Sequence, residues 1–161
     1  MTAQRAYGRK DRLIKEKRHD VYQEKGKWPD PTFCTKCGVV FTKGRWSWDK
    51  MPKKAHQVVC PACRRRDGNY PAGYITLKGS FFEENHEEIV NLIRNTEKQE
   101  KQQHPLERIM GVQVKNDHTL IMTTGIHIAR RIGNALSRSY KGDFSFHYPE
   151  GEKSIRVYWE R

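Results

Sequence analysis

Two pairs of cysteines, Cys34-Thr35-Lys36-Cys37 and Cys60-Pro61-Ala62-Cys63, stand twenty-two residues apart, and the chain has no other cysteine. A Cys-x2-Cys turn directs two sulfurs at one point, and two such turns complete a tetrahedron of the kind that holds Zn²⁺. The intervening length is slightly long for a zinc module and predicts two extended strands between the pairs. Four sulfur ligands leave no position open for water, so one structural zinc is expected rather than a catalytic one. Zinc would also supply on the order of 10 kcal/mol of folding free energy, which a segment with so little aliphatic core needs. His56 lies near Cys60 and reads as a surface histidine beside a complete cysteine set.

Directly after the second pair come Arg64, Arg65 and Arg66. Four thiolates around a divalent zinc leave a net charge of about −2, which one or two cations could offset. Three successive side chains diverge too much for all of them to face the metal. Lys36, Lys43, Arg45, Lys50, Lys53 and Lys54 crowd the same segment, so phosphate is the better explanation of the surplus. Trp46 and Trp48 add indoles to this basic stretch. Exposed indoles stack on unpaired bases, while small zinc modules also bury an aromatic, so one tryptophan is expected inside and the other outside.

The elements that must position these residues emerge from the wider pattern. The 161 residues hold 31 Lys/Arg and 19 Asp/Glu, a net charge of +12. Residues 1–70 carry 18 Lys/Arg against 7 Asp/Glu, whereas residues 71–161 carry 13 against 12. That asymmetry points to a polyanion partner met by the first half. Mean hydropathy is −0.94. No apolar run approaches the ~18 residues of a membrane span, and the N-terminus has no apolar stretch behind its charges. A cytosolic chain without membrane contact is expected, and disulfides are not expected there.

Three segments follow. Residues 1–31 form a basic arm ending at Trp28-Pro29-Asp30-Pro31, with Leu13, Ile14, Val21 and Tyr22 spaced for one amphipathic helix. Its Arg5, Arg9, Lys10, Arg12, Lys15, Lys17, Arg18, Lys25 and Lys27 are expected to thread along RNA and order there. Residues 32–70 are the zinc ribbon. Residues 71–161 read as an α+β domain of order β-α-β-β-α-β-β with both helices on one sheet. Ser80 and Glu83 make a capping-box pattern for a helix with Ile89, Leu92 and Ile93 on one face, ending by His104-Pro105. Met110, Val112 and Val114, then Leu120 and Met122, alternate as strands around an Asn116-Asp117 turn. Ile128, Ala129, Ile132, Ala135 and Leu136 mark a second helix after Thr124-Gly125, with Gly142 near its stop. Phe144/Phe146/Tyr148 and Ile155/Val157/Trp159 alternate again.

The paired knuckles, the strand Gly73-Tyr74-Ile75-Thr76-Leu77 and the junction Thr123-Thr124-Gly125-Ile126-His127-Ile128-Ala129-Arg130-Arg131 resemble short bacterial zinc-ribbon proteins of unassigned function. These in turn are similar to the N-terminal half of the archaeal and eukaryotic "nonsense-mediated decay protein three" family. The resemblance covers about residues 32–161 and implies binding of the large ribosomal subunit. The family usually carries more cysteines and continues into further β-domains, so export and late-maturation roles do not carry over.

No reaction is legible. Ser80, Ser137, Ser139, Ser145 and Ser154 lie in no nucleophile motif, and no P-loop is present. Glu83, Glu84, Glu87 and Glu88 suit a helix N-terminus, and His86, His104, His118, His127 and His147 are scattered. The expected function is that of a non-enzymatic, rRNA-binding factor of the large ribosomal subunit, for example a stress or hibernation factor, with no small-molecule substrate. The alternative is a zinc-ribbon accessory protein of transcription that binds DNA or polymerase. A third reading, a redox sensor that releases its zinc, rests on the same four cysteines.

Overall fold

A computed structural model describes residues 28–161; the expected helix and nine basic positions of residues 5–27 lie outside them. Among the described residues the fold is mixed α+β, with two sheets and four helices. The first sheet holds four three-residue strands: β1 (Thr32–Cys34), β2 (Val40–Thr42), β3 (Arg45–Ser47) and β4 (His56–Val58), in the order β3-β2-β1-β4. The twenty-two residues between the cysteine pairs are therefore not two long strands. They hold the short β2–β3 hairpin, a loop, and β4, which runs parallel to β1. Lys43 and Gly44 turn the hairpin with φ of 52° and 79°, the two-residue geometry in which glycine at the second position avoids a Cβ clash. Register then sets Phe41 opposite Trp46. Helix α1 (Pro61–Asp67) closes this module.

The second sheet holds β5 (Gly73–Lys78), β6 (Ile109–Val114), β7 (Thr119–Thr123), β8 (Asp143–His147) and β9 (Ile155–Glu160), in the order β6-β7-β5-β9-β8. Helices α2 (Ser80–Glu84) and α3 (His86–Gln103) link β5 to β6, and α4 (Ile126–Tyr140) links β7 to β8. This is the expected β-α-β-β-α-β-β order. Period-two alternation puts Ile75, Leu77, Ile121, Ile155, Val157 and Trp159 on the helix-covered face, where they meet Ile89 and Ile93 of α3 and Ile128, Ala129, Ile132 and Leu136 of α4 in one core. Val112 and Val114 alternate as expected but stay exposed, because β6 is an edge strand.

The capping box does not form. Gly79, not Ser80, is the N-cap of α2, and no side chain caps it. Glu83 N–H already bonds to Gly79 O, which draws Ser80 into the first turn. The helix also breaks at Asn85, whose side-chain amide donates to Phe81 O at 2.9 Å, a local bond that competes with helix continuation.

Candidate metal centre

The four cysteine sulfurs lie within 4.8 Å of one another. Each pair is presented by a different element. Cys34 ends β1, and the chain turns through Thr35 and Lys36, with Gly38 N–H bonded to Cys34 O at 2.9 Å. The second pair sits on the start of α1. Cys60 is the N-cap, Pro61 takes the first helical position, where its missing N–H costs nothing, and Cys63 N–H donates to Cys60 Sγ at 3.4 Å. Cys60 N–H donates in turn to Cys34 Sγ at 3.2 Å. Backbone amides thus already surround the sulfurs, and three of the four side chains are buried, with Cys37 partly so.

The Cys34–Cys63 and Cys37–Cys60 sulfur separations are both 3.8 Å. That spacing exceeds a disulfide's ~2.05 Å. It matches opposite edges of a tetrahedron whose centre lies about 2.3 Å from each sulfur. These residues can hold one metal ion. His56 is exposed on β4 and is outside this group of sulfurs.

The thiols are divided in their hold on protons. A hydrogen bond from the Cys60 thiol, ahead of the opposing effect of burial, pulls Cys37 down to about 4, and Val39 N–H and Arg108 add to it. Cys60 is pushed far up by giving that hydrogen bond and by burial. Burial opposes charge on Cys34, yet the N–H groups of Cys60, Cys37 and Lys36 bring it below the ordinary thiol value. Burial raises Cys63. Cys37 is the sulfur poised as a thiolate, while Cys60 and Cys63 hold their protons more tightly than a free thiol, and a metal would displace these.

The cation at the sulfurs comes from the other sheet's domain. Arg108, 7% exposed, donates through Nη2 to Cys37 Sγ at 3.2 Å and through Nη1 to Cys63 Sγ at 3.6 Å. Its own place is fixed by Nε donating to Pro105 O at 2.7 Å and by its N–H donating to Thr124 Oγ1 at 2.8 Å. Thr124 Oγ1 also donates to Leu106 O at 2.6 Å, and Leu106 packs against the cysteine cluster. Nothing in the sequence marks Arg108, which lies 71 residues from Cys37; only the docking of the two modules brings them together.

The arginine triplet has other neighbours. Successive residues of α1 diverge by about 100°. The Arg64 guanidinium lies 5.6 Å from the Trp28 ring centre, Arg65 lies 5.6 Å from the Tyr70 ring and donates to Tyr70 O at 3.3 Å, and Arg66 is exposed, 3.8 Å from Asp67. Lys36 pairs with Asp67 across the two knuckles. Lys43, Arg45, Lys53 and Lys54 are exposed.

The tryptophans divide as expected, in part. Trp46 is half-buried against the cysteine cluster, 5.3 Å from the Phe41 ring and 5.4 Å from Trp28. Trp48 is 40% exposed but already engaged: its Nε1 donates to Lys101 O at 2.8 Å, and Arg108 and Lys101 lie 5.4 and 5.7 Å from its ring. It helps dock the ribbon to α3. Of the histidines that look scattered in sequence, His104 and His127 line one cleft.

No helix among the described residues is long and apolar enough to cross a membrane. Compared with protein-family models, curated proteins and solved structures, the chain has no match.

Proposed function

We propose that the chain is a zinc-dependent RNA-binding factor of the large ribosomal subunit, acting when ribosomes idle under stress. The observation that carries this reading is the division of labour between its arginines. Arg108 attends the sulfurs, while Arg64, Arg65 and Arg66 occupy a helix that leads away from them. The triplet is thus not required as counter-charge to the metal. Three successive arginines on one short helix, in the half of the sequence that carries the charge excess, fit a phosphate backbone.

Zinc is the ion that an all-cysteine tetrahedron with 3.8 Å edges suits best, and it would act as a structural staple with no position open for substrate. The sequence of residues 1–27 adds nine further Lys/Arg to the basic half of the chain. The choice of the large subunit rests on the resemblance of the knuckles and the 123–131 junction to the family named above.

The test is sedimentation of tagged protein through sucrose gradients from growing and starved cells, at low and high salt. Co-migration with large subunits or whole ribosomes, weakened by salt and stronger in starved cells, is the expected result. Protein that stays at the top of every gradient removes the ribosome as its partner.

A further inference from the structure

A cleft of about 740 Å³ opens where the ribbon meets the α+β domain, within the range of small-ligand sites. The ribbon supplies Arg45 and Trp46; the domain supplies Glu100, Glu107, His127 and Arg131. The two carboxylates are used differently. Glu100, 5% exposed, is committed to its neighbours: Arg131 Nη1 donates to its Oε2 at 2.6 Å, and His104 Nε2 lies 4.0 Å from its Oε1.

Glu107 is held in place by backbone. Ile128 N–H, in the first turn of α4, donates to Oε2 at 3.1 Å. Gly125 makes this approach possible, since a Cβ there would collide with the Glu107 carboxyl. A carboxylate has about four lone-pair sites, so a second donor can still be accepted. It also repels phosphate, so whatever enters here must present N–H groups.

We propose that this cleft takes one unpaired guanine of the bound RNA, with Glu107 accepting from the base's N1–H and N2–H₂. The inference rests on the RNA-binding reading above and adds to it a base preference. Guanine alone among the four bases offers two adjacent donors on its Watson–Crick edge. Adenine and cytosine set one donor beside an acceptor, and uracil sets its one N–H between two acceptors. Trp46 provides an aromatic wall, and Arg45 a cation for the flanking phosphate, which is how unpaired bases are usually captured.

The test uses the full-length, metal-loaded protein at pH 8, where the Glu107 carboxyl is ionised, and four single-stranded RNA 10-mers, each oligouridine with one central G, A, C or U. The central G should tighten binding about tenfold, the size of one good bidentate base contact. Glu107→Gln keeps an oxygen for Ile128 N–H but turns one acceptor into a donor; it should erase the preference, so that the G-containing 10-mer binds no more tightly than the other three. Salt-sensitive but equal binding of all four RNAs would overturn the guanine site and leave the RNA reading standing. If no RNA binds, the RNA reading itself falls. Titration with GMP, AMP, CMP and UMP, followed by tryptophan fluorescence, then decides the cleft: a GMP preference lost in Glu107→Gln sustains it, and no preference overturns it.

Discussion

The guanidinium of Arg108 bridges Cys37 and Cys63, with Nη2 3.2 Å from one sulfur and Nη1 3.6 Å from the other. A residue of the β6 approach thereby belongs to the four-cysteine site of a different module. Charge-assisted hydrogen bonds of this kind tune a metal site from outside its ligand set. They also tie the site's state to the segment Pro105–Arg108, and through Thr124 to the start of α4.

Arg108→Ala should weaken metal retention about 10- to 100-fold, the usual effect of losing a group that hydrogen-bonds the ligands. Release to a chromophoric chelator measures it. Arg108→Lys should fall between, having one charge but no fork. Release at the wild-type rate in both variants would show that Arg108 is a structural tether only.

Cys34→Ser with Cys60→Ser should abolish stoichiometric metal and unfold the ribbon, whose strands are three residues each. The second domain should persist, since its core of Ile75, Val157, Trp159, Ile132 and their neighbours is separate. Hydrogen exchange resolves the two: fast exchange over residues 32–70 with protection kept over 73–160. Loss of protection throughout would mean that the ribbon is needed for the whole fold.

Replacing Arg64, Arg65 and Arg66 together with alanine should weaken RNA binding and flatten its dependence on log salt by up to about 2, at ~0.7 per single-strand phosphate contact. Metal content should not change, since the guanidinium that donates to the sulfurs is that of Arg108. An unaltered salt slope would return these arginines to a structural role.

Burial raises the Glu107 carboxyl to about 7 from 4.5, with Glu100 pushing the same way and Ile128 N–H, Arg65 and Lys153 pulling down. The folded state therefore holds a proton that the unfolded chain releases between pH 4.5 and 7. Ionising Glu107 costs stability fully above pH 7, and the cost fades as pH falls towards 4.5. Glu107→Gln should then be more stable than the wild type by about 1–3 kcal/mol at pH 8 and about equal to it near pH 4.5, by urea denaturation at each pH. A constant difference across that range would show that Glu107 titrates normally.

Period-two alternation in β5, β7 and β9 and the helical stripe of α4 determined the second domain in advance, because each element's buried face is written into its own residues. The cysteine spacing likewise determined a four-sulfur cluster, since a Cys-x2-Cys turn is a local geometry. The helix start at Gly79 was not legible, because its N-cap depends on how the chain packs there: a side chain at Gly79 would meet the backbone of Arg161. Nor was the role of Trp48, whose partner Lys101 is 53 residues away. Arg108 at the sulfurs and Glu107 at the α4 terminus were decided by tertiary structure alone. Local patterns specify elements, but which charged groups become neighbours depends on how the two modules dock, and that has no period in the sequence.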